Sequence, residues 1–115
     1  MVVSDEEKPF FDGRSKGDYY KRVFVLKEVT EICCEFKYCL YPAEVIFEEG
    51  SRLRVLGDNT FDDCIHLKKI RLPDGLEKIG RRCFYNTELE EFVIPASVKE
   101  IGKEAFGCCN GLKSI

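Results

Sequence analysis

The chain has 115 residues, enough for one domain or one piece of a longer array. Hydrophobic residues make up 44% and charged residues 34%, and the net charge is only −3. That balance lacks the clustered basic excess of a nucleic-acid binder. It also lacks the polybasic segment of a protein held electrostatically on a membrane, and no apolar run approaches the roughly 20 residues that span a bilayer.

The first segment, residues 1–21, begins "MVVSDEEKPFF". It has no basic start, apolar stretch or small-residue cleavage site, so it does not read as a secretory signal. Phe10, Phe11, Tyr19 and Tyr20 make it too aromatic for a plain tail, and "DG" and "SKG" are turn signals. The expectation is a cap folded back over the segment that begins at residue 22, with a partly flexible segment as the alternative.

From residue 22 onward a phrase recurs. Residues 22–42 carry it loosely: Val23 and Val25 alternate with Arg22 and Phe24, and "VTEI" comes next, before Phe36. Residues 43–66 repeat it with Val45, Phe47, "LRVL", Gly57 and Phe61, plus an insertion of Ser51 and Arg52. Residues 67–88 give "LKKIRLPDGLEKIGRRCF", and residues 89–111 give "LEEFVIPASVKEIGKEAF". Leu112 to Ile115 begin the phrase a fifth time and stop, so the expectation is an array that continues. Phe61, Phe84 and Phe106 are 23 and 22 apart, and each follows an aliphatic–glycine pair: Leu56–Gly57, Ile79–Gly80, Ile101–Gly102. Self-similarity at this period is the mark of a solenoid, in which each copy is the surface on which the next one packs.

Within one copy, Ile70 and Leu72 alternate with Lys69 and Arg71, which predicts a strand with one buried face. Pro73 ends it, because proline cannot donate to a ladder. "PDG" turns the chain into "LEKI", a second short extended segment, and Gly80 is expected to turn it again. "RRCFYNTEL" is predicted as a short helical turn or loop that closes the coil.

These residues resemble the BspA-type leucine-rich repeat, whose pattern runs L-x-x-I-x-(L/I)-P-x-x-(L/V)-x-x-I-G-x-x-A-F-x-x-C. The resemblance covers 43–115 closely and 22–42 loosely. It implies a right-handed solenoid of 22–25-residue rungs, with stacked parallel strands and short helical turns. It also implies a surface-adhesion role as one alternative, since such repeats occur in microbial surface proteins.

In a solenoid, recognition falls on the side chains that point out from the stacked strands. One outward column reads Arg22, Glu44, Lys69, Glu91, Ser114, with charges alternating in sign, and reads as register-setting ion pairs. The next reads Phe24, Ile46, Arg71, Val93. Three of these four are apolar where polar residues belong, so the column is the candidate partner-binding site, the alternative being cover by the N-terminal segment. On the opposite side, Thr30, Arg54, Glu77, Lys99 and Glu31, Val55, Lys78, Glu100 read as a self-paired, solvated surface.

No chemistry competes with that reading. His66, the single histidine, falls in a turn, and no serine sits in a G-x-S-x-G elbow. The seven cysteines are an odd number, unsuited to a closed disulfide framework. Cys39, Cys64 and Cys109, with Thr87 between, form a column of small packing residues, and Cys83 lies level with Thr60 and Ala105. Zinc would want four ligands at spacings the chain does not offer, so no metal or cofactor is expected. The sequence therefore reads as a noncatalytic protein-interaction module with a protein partner, or as a spacer in a longer array that associates end to end. A reduced, cytoplasmic setting is the expectation, and the cell surface is the alternative that the resemblance implies.

Overall fold

The computed structural model describes residues 3–5, 22–34, 36–39, 42–90 and 92–109. It has eight short strands in chain order: β1 (Val3–Asp5), β2 (Arg22–Val25), β3 (Glu31–Ile32), β4 (Glu44–Phe47), β5 (Val55–Leu56), β6 (Lys69–Ile70), β7 (Lys78–Ile79) and β8 (Glu100–Ile101). They form two sheets, ordered β1-β2-β4-β6 and β3-β5-β7-β8. From β2 to β7 each rung gives one strand to each sheet, so the chain coils, and the strand pairings between rungs are parallel. The register follows the repeat: Val23 opposes Val45, and Val45 opposes Ile70. On the other sheet Ile32, Leu56, Ile79 and Ile101 form one continuous row. β1 lies antiparallel on the outer edge of β2, with Ser4 opposite Phe24. It covers an edge that would otherwise present unpaired backbone groups. The cap expected over 1–21 lies, apart from residues 3–5, outside the described residues, as does the stub 112–115.

The core fills the coil. Val25, Ile32, Leu53, Leu56, Leu67, Leu76, Ile79 and Leu89 are fully buried between the two sheets and the turn side. Through the middle runs a ladder of phenylalanines: Phe36 on Phe61, Phe61 on Phe84, Phe84 on Phe106, each pair 5.5 Å between ring centroids and nearly parallel. Phe36 holds its place in the stack although it comes one residue early in its rung. Phe92 meets the rings of Phe84 and Phe106 edge-on at 5.2 and 5.0 Å. At this spacing aromatic pairs contribute about 0.5–1.5 kcal/mol beyond the area they bury.

The third side of each rung is not helical, which corrects one expectation. It is a run of turns in which two residues four apart take positive φ: Cys34 and Tyr38, Asn59 and Asp63, Arg82 and Asn86, Glu104 and Cys108. Left-handed residues end a right-handed helix, and alternate N–H groups turn outward to the next rung instead of up the chain. Asn59, Phe61 and Asp63 donate to the carbonyls of Arg81, Cys83 and Tyr85, at 2.8–2.9 Å. Arg82, Phe84 and Asn86 do the same to Lys103, Ala105 and Gly107. The turn side is thus a third backbone ladder. Asn and Asp tolerate positive φ, but Glu104 carries the conformational cost without compensation from its side chain type. Glu104→Asn is expected to raise stability by about 0.5 kcal/mol, read as a higher urea midpoint.

Gly80 also has a different role from the expected one. Among the described residues the left-handed glycines are Gly50 and Gly75, in the turns that end the first-sheet strands. At Gly80 an added Cβ would lie 2.5 Å from the Asp58 nitrogen and the Gly57 carbonyl carbon, and at Gly102 it would meet the backbone of Arg81 and Gly80. These glycines let one rung approach the one before it.

Buried thiols add a pH dependence. Burial pushes the Cys83 thiol up to about 12 and raises Cys64 further, with neighbouring Cys39 adding to the effect. A thiol whose folded pKa is raised supplies stability below its unfolded pKa of about 8.5 and loses it as pH rises toward the folded value. Stability should therefore fall between about pH 9 and 12. Cys83→Ala, which copies Ala105 of the next rung, should flatten that fall in urea melts at about pH 8 and pH 10.

Candidate functional site

The solvent side of the first sheet carries the predicted column. Phe24 and Ile46 are direct neighbours across β2 and β4, and both are half-buried. The paired ladder ends at Ile70, so Arg71 lies just past the end of β6 and is exposed. Val93, in the next rung, is 79% exposed, high for a valine in a packed solenoid. The charged column beside it has the predicted register as far as it is described, Arg22–Glu44–Lys69. Glu91 and Ser114 lie outside the described residues.

Two open grooves flank Arg71. The larger, of about 700 Å³, runs between the Phe47–Ser51 turn and Arg71–Asp74 and carries Glu48, Glu49 and Asp74 along its rim. The smaller, of about 300 Å³, is lined by Glu44, Val45, Lys68–Arg71 and Glu90. The face is therefore apolar at Phe24 and Ile46, basic from Lys68 to Arg71 and acidic at the turns. Arg71 has no hydrogen-bond or ion-pair partner among the described residues. The grooves were not legible from the columns alone. The turn that carries the inserted Ser51 lines the larger groove only, and the insertion is the sequence signal for that one. Glu48 fixes that turn to the previous rung by accepting the Lys27 N–H at 2.7 Å.

The second sheet presents the charges predicted for it. Arg54 and Glu77 pair at 3.7 Å, both well exposed. Such a pair contributes about 0–1 kcal/mol in water. Glu77→Gln is expected to change stability by less than about 0.5 kcal/mol, and a larger loss in urea melts would show the pair to matter more than its exposure allows.

The turn side holds a polar cluster that the repeat did not reveal. Asp62 is buried and accepts from Asn59 at 2.7 Å and from Arg82 Nε at 3.2 Å. The Arg82 guanidinium lies 3.7 Å over the Tyr85 ring, a cation–π contact that holds it in place. Sequence position hides this cluster, because side chains on turns with positive φ do not follow the period-two rule of strands. Tyr85 Oη accepts from the exposed Cys108 thiol at 3.4 Å. His66 is an exposed turn residue. No group of three or more metal-ligating side chains occurs among the described residues.

A family model for the BspA type leucine-rich repeat region, six copies long, matches residues 30–115. The chain belongs to the BspA-type leucine-rich repeat family. Two solved structures are similar to this BspA-type chain. One is a leucine-rich repeat protein from Bacteroides ovatus, 33% identical over 76% of this chain and 25% of that one, with a TM-score of 0.49. The other is a leucine rich cell surface protein from Faecalibacterium prausnitzii, 22% identical over 83% of this chain and 38% of that one, with a TM-score of 0.52. The second likeness concerns the fold alone. This BspA-type chain thus spans about a quarter and somewhat over a third of the two proteins. Comparison with curated proteins gave no match. Among the described residues, no helix is long and apolar enough to cross a membrane.

Proposed function

We propose that this chain is a noncatalytic protein-interaction module that binds a protein partner through Phe24, Ile46, Arg71 and Val93. The observation that carries the reading is the outward face of the first sheet. It sets two neighbouring apolar side chains and a 79% exposed valine around an arginine that has no partner among the described residues, with a groove on either side of that arginine. Exposed apolar groups rimmed by charge are how a soluble surface recognises another protein. A rigid three-ladder coil holds them without loss of order on binding, which favours affinity. The test compares the native chain with an Ile46→Lys, Val93→Lys double variant in affinity capture from the source cells, after both show the same circular dichroism and melting. A protein retained by the native chain and lost with the variant is the expected result. Equal retention by both would move the site elsewhere.

A spacer or assembly role is the second reading, and one observation favours it. Ile32, Leu56 and Ile79 are fully buried within the row, but Ile101 at its end is 48% exposed. Further rungs, or a second copy joined end to end, would bury it. Sedimentation of the native chain beside Ile101→Lys tests this: loss of an assembled species with the variant supports it. An adhesion role at the cell surface is the remaining alternative, in keeping with the description of the Faecalibacterium protein. A cytoplasmic setting has no support beyond the sequence reading.

A further inference from the structure

None of the seven cysteines is in a disulfide, and the proposed recognition face uses none of them. On the turn side, three junctions between rungs share one register. Tyr38 donates to the Asp62 carbonyl, Asp63 to Tyr85 and Asn86 to Gly107, all at 2.8 Å. In each case the donor precedes a residue of the small column (Cys39, Cys64, Thr87). The acceptor lies two residues before the next member (Cys64, Thr87, Cys109). The side chains obey the same rule. Cys64 Sγ donates to the Phe36 carbonyl at 2.9 Å, and Cys109 Sγ donates to the Phe84 carbonyl at 3.0 Å. At the last junction the neighbouring γ atoms touch: Thr87 Oγ1 and Cys109 Sγ are 3.4 Å apart. At the first junction both members are cysteine. The Phe36 carbonyl there receives the Cys39 N–H at 3.0 Å as well as the Cys64 thiol.

We propose that Cys39 and Cys64 are an inter-rung cross-linking site, joined as a disulfide by a low-molecular-weight disulfide oxidant so that rung one is fastened to rung two. Cys39 and Cys64 lie in turns, but the Tyr38 N–H bond to the Asp62 carbonyl and the Cys64 thiol bond to the Phe36 carbonyl hold the two turns side by side as in a parallel ladder, whose spacing of about 4.8 Å falls inside the roughly 4.4–6.8 Å Cα range that a disulfide spans. The sequence-adjacent pairs Cys33–Cys34 and Cys108–Cys109 have Cα atoms about 3.8 Å apart, below that range. Thr87 interrupts the column, so no other two cysteines among the described residues are column neighbours on adjacent rungs.

The exchange has two steps. The Cys39 thiolate, half-buried and so within reach, attacks one sulfur of the oxidant. A small thiolate leaves, and Cys39 is left in a mixed disulfide. Cys64 then loses its proton to solvent and attacks Cys39 Sγ. The bond to the small thiol breaks and the second small thiolate departs. Two protein thiols give up two electrons and two protons, and the oxidant becomes two small thiols. Burial holds the Cys64 thiol protonated, so the second step is slow near neutrality and quickens as pH rises. The closed loop runs from 39 to 64, and the cross-link removes its freedom from the unfolded chain.

The full chain, incubated with glutathione disulfide at about pH 8.5, gives the test. The expected result is the loss of two thiols within one molecule, a non-reduced peptide linking Cys39 to Cys64, and a melting midpoint raised by about 10 °C and restored by dithiothreitol. Cys39→Ala should lose both the linked peptide and the rise. A mixed disulfide that persists on Cys39, or oxidation confined to Cys33, Cys34, Cys108 and Cys109, overturns the proposal. Thr87→Cys supplies the control. If its new thiol links to Cys109 while Cys39 and Cys64 stay reduced, the column can form disulfides but the first junction does not, and the assignment fails.

Discussion

Phe84→Ala is expected to remove most of the stability of the fold, about 3–5 kcal/mol. A domain of this size has a total of roughly 5–15 kcal/mol. Phe84 is fully buried, stacks on Phe61 and Phe106, and meets Phe92 edge-on. Truncation therefore leaves a cavity at the centre of the ladder and strips three rings of a partner. Solenoid stability is a sum of rungs and of interfaces between neighbours, and this substitution weakens two interfaces at once. Phe106→Ala removes the same ring from a half-buried position and should cost clearly less. Urea melts of the two variants decide it. Equal losses would mean that the ladder is not the element that couples the rungs.

Gly80→Ala is expected to be nearly as damaging, at about 3 kcal/mol, for a different reason. The added methyl would press against the Asp58 nitrogen and the Gly57 carbonyl carbon, both backbone atoms that no rotamer change can move aside. To relieve the overlap the rungs must part. That stretches the Gly80 N–H bond to the Leu56 carbonyl, now 2.7 Å, and the Arg81 N–H bond to Asp58 Oδ1, now 2.8 Å. Gly75→Ala makes the comparison sharp. Gly75 has φ +96° and open space around it, so alanine there meets only backbone strain of about 1–2 kcal/mol. Thermal melts in which Gly75→Ala cost more than Gly80→Ala would refute the close-approach account.

The columns were legible because parallel stacking at a fixed period leaves no freedom in register. Val23, Val45 and Ile70 align in space as they do in sequence, and so do Leu56, Ile79 and Ile101. The turn side was not legible. "RRCFYN" is made of residues that a helix accepts, and nothing in an arginine or a glutamate announces the positive φ of Arg82 and Glu104. What forces that conformation is the ladder to the next rung, which a local reading does not contain. The glycine column was visible, but its cause was not. A glycine that avoids a neighbouring backbone and one that permits a left-handed turn look alike in sequence, and Gly80 and Gly75 are one of each. At the candidate recognition face, the positions of Phe24, Ile46, Arg71 and Val93 could be read from the alignment of the repeats. The grooves beside Arg71 could not, because they are formed between turns and strands of neighbouring rungs, which a single column does not contain.

The close-approach glycines also give the stack a direction. At Gly57, Gly80 and Gly102 the missing methyl would point toward the rung before. The corresponding residue of rung one is Cys33, which has a Cβ and places it, with its sulfur, 3.0 Å from where a Gly57 methyl would stand. An engineer who wished to graft an extra rung ahead of rung one would therefore have to change Cys33 to glycine first. A rung that stacked beyond Gly102 would have to bring a glycine of its own at the matching position. Cys33 and the β1 strand laid on the edge of β2 thus mark rung one as the first of the stack.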